Sequence, residues 1–115
     1  MASKTVKTRE SFEAEVQAPG GRFALFYSAW CPFCTSFLPV FEEQAAVGSG
    51  AFIKVCTDDL PELEDRFSVE VVPTVLFFKG GHLSRRLDGQ LGRGLGGDGL
   101  RAFVKACGAP ARETK

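Results

Sequence analysis

At 115 residues, with 44% hydrophobic and 24% charged residues, the chain has the size and balance of one globular domain built on one hydrophobic core. Fourteen basic residues offset fourteen acidic ones without a like-charge block, which removes the electrostatic basis for binding nucleic acid or an anionic membrane. Eleven phenylalanines against one tyrosine and one tryptophan predict a dry, aromatic-rich core.

Met1 to Glu10 is polar and mixed in charge, without the apolar stretch of a signal peptide. No later run is long enough to cross a bilayer, and a reducing cytoplasm is the expected compartment. Thr8 is placed to cap a first helix, with Glu10 in its opening turn and Phe12 and Val16 on one face. Pro19-Gly20-Gly21 ends it. Arg22 to Tyr27 (RFALFY) is near-continuously apolar, as a strand buried on both faces requires. Cys31 to Val47 reads as a helix with Phe37, Leu38 and Phe41 inward, and Pro39 inside it predicts a kink. Gly48-Ser49-Gly50 closes that helix, and Ala51 to Cys56 (AFIKVC) is a second buried strand.

Asp58 to Phe67 predicts a short helix with Leu60, Leu63 and Phe67 inward and Pro61 in its first turn. Thr74 to Phe78 is a third strand, Gly80-Gly81 a tight turn, and Leu83 to Asp88 a fourth strand completing a hairpin. A last helix, Asp98 to Cys107, places Leu100, Phe103 and Val104 on one face. The order α-β-α-β-α-β-β-α predicts a mixed sheet with helices on both sides.

Four cysteines are too few for a disulfide scaffold, and in a reducing compartment a close pair points to catalysis or metal binding. Cys31 and Cys34 stand where a strand runs into a helix. Residues three apart share a helix face, so their sulfurs can meet across one turn. Cys31 at the cap meets unpaired amides and the positive end of the helix dipole, which favour a thiolate. It is the expected nucleophile, and Cys34, a turn deeper, the resolving thiol. Pro32 takes the first helical position, where its missing donor costs least, and leaves the amides of Phe33 and Cys34 to hold the Cys31 sulfur. That pattern predicts a comparatively oxidising disulfide. The competing reading is half a zinc site, but such sites want four ligands, and Cys56, Cys107 and the single His82 are isolated.

With these residues placed, the chain resembles the thioredoxin family from about Thr8 to Gly108. The matching marks are Ala29-Trp30-Cys31-Pro32-Phe33-Cys34, Pro39 in the following helix, Val72-Pro73-Thr74 before a strand, Phe78-Lys79-Gly80-Gly81, and Gly89. The resemblance implies one thioredoxin-like α/β domain across residues 1–115, with a central mixed four- to five-stranded sheet flanked by helices on both faces. It implies that Pro73 is a cis-proline packed against the cysteines and that Val72 offers its backbone to an extended substrate segment, like an added strand. Trp30 and Gly89 flank that groove, and Phe33, between the cysteines, is an expected substrate contact. The activity implied is reversible dithiol–disulfide exchange with protein substrates by a cytoplasmic monomer. Electrons come from a thioredoxin reductase or another dithiol donor, with no bound cofactor and no metal.

Three departures stand out. The dipeptide between the cysteines is Pro-Phe rather than the Gly-Pro common in thioredoxins, and is more like glutaredoxins and some disulfide-donating relatives; the preceding helix and Val72-Pro73-Thr74 follow the thioredoxin manner. The buried aspartate that the family carries six residues before the first cysteine is Leu25 here, so the resolving thiol lacks its usual base and resolution is expected to be slower. Lys54, which matches that aspartate's lysine partner, must reach water or another partner such as Asp58, and a tuning role for it comes second to a structural one. Gly92 to Gly99 is unusually glycine-rich. Its G-x-G-x-x-G from Gly92 to Gly97 lacks the βαβ context of a dinucleotide site, so a loop is expected. Cys56 and Cys107 read as packing residues, with Cys107 also a candidate for an intermolecular disulfide, and His82 reads as an exposed strand residue. The alternatives are a glutaredoxin-like or disulfide-donating role, a non-catalytic interaction module on the same fold, or metal delivery through the cysteine pair.

Overall fold

The computed structural model describes residues 3–47, 51–89 and 95–107. Gly48-Ser49-Gly50, expected to close the long helix, and Gly92, Arg93 and Gly94 of the glycine-rich stretch lie outside them. The elements in chain order are β1 (Lys4–Val6), α1 (Arg9–Val16), β2 (Arg22–Tyr27), α2 (Pro32–Val47), β3 (Phe52–Cys56), α3 (Pro61–Arg66), β4 (Thr74–Lys79), β5 (His82–Leu87) and α4 (Gly97–Ala106). The strands form one five-stranded sheet in the order β1-β3-β2-β4-β5. β1, β3 and β2 run parallel, whereas β4 is antiparallel to β2 and β5 to β4.

Alternation along the central strands sorts the core into two layers. From β2, Ala24 and Phe26 join Phe12 and Val16 of α1 and Leu63 of α3 on one face. Phe23 and Leu25 join Phe37 and Phe41 of α2 and Leu100 and Phe103 of α4 on the other. Phenylalanine pairs meet edge-on in both layers: the Phe12 ring lies 5.5 Å from Phe78 and the Phe41 ring 5.4 Å from Phe52, while Phe23 stacks on Phe52 at 4.9 Å. α1 starts as its sequence predicts. The Ser11 amide donates to Thr8 Oγ1 at 3.1 Å, and the Thr8 amide donates to Ser11 Oγ at 3.3 Å, a reciprocal cap. Gly80 and Gly81, both at positive φ, form the two-residue turn that joins β4 to β5 in register Lys79↔His82.

Two elements differ from the sequence expectation, and Gly97 to Gly99, expected in a loop, form the first turn of α4. β1 comes from the polar N-terminal stretch, which carries no strand signal of its own; only Val6 of its three residues is buried, and pairing to β3 makes the strand. α3 starts at Pro61 rather than Asp58. The amides of Asp59 and Leu60 both donate to the Cys56 carbonyl, at 3.0 and 3.1 Å, and the Asp58 side chain is engaged by the neighbouring loop, so the chain turns before the helix begins.

Lys54 is 7% exposed and faces α2, in register with Leu25. Its partner is Glu42 of α2, not Asp58: Nζ lies 2.7 Å from Oε2. Glu42 also accepts hydrogen bonds from the Ser3 amide at 2.9 Å and the Ser3 hydroxyl at 2.6 Å, so one carboxylate ties the β1 edge, β3 and α2 together. Burial pushes the Glu42 carboxyl up, but the hydrogen bonds from Lys54 and Ser3 and the Lys54 charge outweigh it and lower it to about 2. Because the folded value lies below the ordinary 4.5, the stabilisation is complete above that pH and is lost as pH falls toward about 2. Glu42→Gln is expected to destabilise the fold by about 3 kcal/mol at neutral pH, since it leaves a buried ammonium uncompensated. Urea unfolding across pH should show the deficit closing between pH 4.5 and about 2, where Glu42 itself protonates.

Candidate active site

β2 ends at Tyr27, and the chain crosses to α2 through Ser28, Ala29, Trp30 and Cys31. Pro32 opens the helix at the position where a proline is tolerated best. The turn is held from within: the Cys31 amide donates to Ser28 O at 3.3 Å, and the Trp30 amide donates to Ser28 Oγ at 3.2 Å. The Cys31 carbonyl accepts the amides of Cys34 and Thr35, at 3.0 and 3.1 Å. The Cys34 amide therefore serves the Cys31 carbonyl, where the sequence had it facing the sulfur.

The two sulfurs occupy different environments. Cys31 is half-buried, and its thiol donates to the Val72 carbonyl at 3.7 Å. Cys34 is 1% exposed, and its sulfur accepts the Ser28 amide at 3.5 Å. Burial pushes the Cys34 thiol up to about 12; the Ser28 amide opposes the rise, and the neighbouring Cys31 and Cys56 sulfurs add to it.

Across from the cysteines the Val72–Pro73 peptide is cis. The loop that carries it is tied to the β5 end. The Thr74 hydroxyl donates to Val71 O at 2.5 Å, and Gly89 N–H donates to Thr74 Oγ1 at 3.2 Å. Gly89 sits so close that a Cβ there would stand 2.2 Å from the Pro73 carbonyl oxygen. Trp30 and Phe33 are the most exposed large apolar side chains described, at 85% and 41%. Of the sequence-predicted residues, Trp30 and Cys31 lie on the loop after β2, Phe33 and Cys34 in the first turn of α2, Val72 and Pro73 on the loop before β4, and Gly89 just past β5; the contact between the Cys31 thiol and the Val72 carbonyl joins the cysteine segment to the proline loop. Lys54 is drawn away from them, to Glu42, about two helical turns beyond Cys34.

His82 is exposed at the start of β5, and Cys107 caps α4 against the second core layer, where burial pushes its thiol up to about 11. Among the described residues no group of three or more His, Cys, Asp or Glu side chains is placed to hold a metal ion, and no helix is long and apolar enough to cross a membrane. Two residues that sequence reasoning did not place here belong to the site's support. Ser28 holds the Cys34 sulfur, and Asp58 Oδ2 accepts Ser28 Oγ and Ala29 N, each at 3.3 Å. Their signal was positional: both lie just past the carboxyl ends of adjacent parallel strands, where open α/β sheets gather their functional loops.

A mixed sheet of this order, helices on both faces and a cysteine pair opening a helix opposite a cis-proline make up the thioredoxin fold. Plasmodium falciparum thioredoxin shares it with a TM-score of 0.81, over 90% of this chain and 97% of that one, at 22% identity, a likeness of fold alone. In sequence, the Thioredoxin family model matches residues 3–105, and the chain belongs to the thioredoxin family. It is 44% identical to a Thioredoxin H-type of Oryza sativa subsp. indica over 57 residues, which is 49% of this chain and 47% of that protein. It is 31% identical to a Thioredoxin of Alicyclobacillus acidocaldarius subsp. acidocaldarius over 84 residues, covering 71% of this chain and 80% of that one. The chain spans about half the length of the first curated relatives it matches, 47%, 56% and 45% of them.

Gly89→Ala forces a methyl group against the Pro73 carbonyl and is expected to cost about 1–3 kcal/mol while moving the Val72–Pro73 loop. Denaturant unfolding measures the first effect. For the second, exchange with a protein disulfide should slow more than exchange with a small-molecule disulfide.

Proposed function

We propose that the chain is a protein thiol–disulfide oxidoreductase, a single thioredoxin-like domain across residues 1–115, in which Cys31 is the nucleophile and Cys34 resolves. The observation that carries this reading is the pairing of a reachable sulfur with a buried one at the start of α2, opposite the cis Val72–Pro73 peptide. A target disulfide reaches Cys31 but not Cys34. The Cys31 thiolate attacks one target sulfur, the target S–S bond breaks, and its electron pair leaves on the other sulfur. Cys34, as thiolate, then attacks the Cys31 sulfur of the mixed disulfide, closes the Cys31–Cys34 bond and releases the remaining target thiol. The target gains two electrons and the chain loses two, to be restored by a thioredoxin reductase or a similar dithiol donor. No cofactor is needed in the chain itself, because sulfur carries both electrons.

An extended target segment fits beside Val72, whose carbonyl is freed once Cys31 gives up the proton it shares with it; strand-like pairing to that backbone supplies affinity with little sequence preference. Trp30, Phe33, Pro73 and Gly89 border this position, and exposed aromatics of that size favour partner contact over solvent. Pro32 keeps the first turn of α2 in place, and Lys54 acts on the pair only through its ion pair with Glu42. In this reading the protein is a monomer in the cytoplasm with protein disulfides as substrates and no nucleic-acid or membrane partner.

Cys31→Ser is expected to abolish reduction of insulin disulfides. Cys34→Ser should retain the first capture and accumulate a mixed disulfide, visible as an adduct by mass spectrometry under non-reducing conditions. Full activity in Cys31→Ser, or reduction by glutathione alone with none by a flavin-dependent thioredoxin reductase, overturns the proposal.

A further inference from the structure

The loop that carries Val72 runs from α3 to β4, and its two ends are held in different ways. At the β4 end it is fixed by the cis Val72–Pro73 peptide, the Thr74 hydroxyl and the Gly89 amide. At the α3 end Ser68 has a φ of 54°, a left-handed conformation that serine adopts less readily than glycine. The Ser68 amide donates to the Asp65 carbonyl at 3.2 Å and the Val69 amide to the Glu64 carbonyl at 2.9 Å, so Ser68 closes α3 in the place glycine commonly takes. Val69 and Val72 pack against the first core layer, but Glu70 and Val71 between them border an open cleft of about 380 Å³ that reaches Gly89. Apolar packing does not fill that side of the loop.

Arg86 of β5 spans the cleft. It lies opposite Leu76 of β4, and cross-strand partners share a face, so it stands on the α1 and α3 side of the sheet. Its Nη1 donates to the Phe67 carbonyl at 2.9 Å and its Nη2 to the Ser68 carbonyl at 3.2 Å. These carbonyls stand just past the end of α3, where a cation is favoured. Nε donates to both carboxylate oxygens of Asp88, at 3.0 and 3.1 Å, and Nη2 donates to Oδ1 at 2.8 Å. Asp88 precedes Gly89, which is seated against the Pro73 carbonyl. One planar guanidinium thus sets the Ser68 turn and the β5 end at a single spacing, which the compact ammonium of a lysine does not do. An ion pair this exposed adds little stability by itself. What the fork supplies is geometry, and with Asp88 meeting its charge it is not held in reserve for an anion.

Resting on the proposed exchange with protein disulfides, we propose that Arg86, bridged to Asp88, is a positioning residue for the target groove. It holds the Val72 backbone and Gly89 at the separation that an extended target segment has to enter. A groove set before the target arrives binds it with less loss of freedom than one that the target must order. A disulfide without a peptide backbone has nothing to pair with Val72 and does not sense the difference. Arg86 therefore acts on target affinity rather than on the exchange of sulfur bonds.

The test compares two disulfides: insulin, whose chains can pair with Val72, and bis(2-hydroxyethyl) disulfide, which is neutral and has no peptide backbone. The pre-reduced chain is mixed with an excess of either, quenched with acid and alkylated, and the remaining thiols are counted by mass spectrometry. Arg86→Gln is expected to lower the second-order rate with insulin by about tenfold, short of the roughly hundredfold that a misplacement of about 1 Å costs. The loss should come from a higher half-saturating insulin concentration with an unchanged limiting rate. The rate with the small disulfide should stay that of the parent, and Arg86→Lys should recover only part of the insulin rate, because it keeps the charge and loses the fork. Should Arg86→Gln fail to fold, Asp88→Asn loosens the same clasp from the β5 end and is judged by the same pattern. An unchanged insulin rate, full recovery in Arg86→Lys, or both disulfides slowed by one factor, as general damage to the fold would do, overturns the inference. A parent chain that reduces neither disulfide refutes the exchange reading instead, so the two failures are distinguishable.

Discussion

A single sulfur buried where β2 runs into α2 is the constraint around which the site is organised. Cys34 is covered by the helix it belongs to and held from below by the Ser28 amide, the first polar group past the central strand. Its partner Cys31 lies one helical turn away, half-buried and turned toward the Val72 carbonyl. In the proposed exchange, the difference in burial within one short motif separates a sulfur that meets targets from one that acts only from inside. Were both exposed, either would capture targets and neither would be reserved for release. Were both buried, capture would not occur.

That arrangement requires rigid surroundings, and the two phenylalanine-rich layers supply them. β2 is the middle strand, paired on one side to β3 and on the other to β4, so its end has little freedom to shift. α2 is clamped by Phe37 and Phe41, both fully buried against Phe52 and Phe23. β4 starts directly after the cis-proline, which fixes Val72 opposite Cys31. Core packing and site geometry are therefore the same problem. Interiors packed at this density transmit a shift at one strand end to the loop beside it.

Charge is handled differently in the two halves of the α2 layer. Deeper in, Lys54 and Glu42 form an ion pair that also ties down Ser3, and this pair secures the β1 edge rather than touching either thiol. Near the surface, Asp58 gathers Ser28, Ala29 and Cys56. With Leu25 between them on β2, the interior keeps its apolar character and the carboxylate stays where water reaches it. Burial of a lone acid at Leu25 would carry a desolvation cost that this layout avoids.

Much of this was legible in the order of residues. The Cys31–Cys34 spacing, the strand before it and the proline at the first helical position determine a close cysteine pair at a helix start. The alternating and continuous apolar runs determine every strand but β1. Thr8, Gly80-Gly81 and the face shared by Leu100 and Phe103 each marked a local element correctly, because caps, turns and helix faces depend on neighbours in the chain. Tertiary structure alone decided the rest. Lys4 to Val6 became a strand because β3 had an open edge, Lys54 found Glu42 on a helix distant in sequence, and Asp58 turned from starting α3 to bracing the Ser28 loop. Each is a contact between segments far apart in the chain, and pairings of that kind leave no periodic trace in either segment alone.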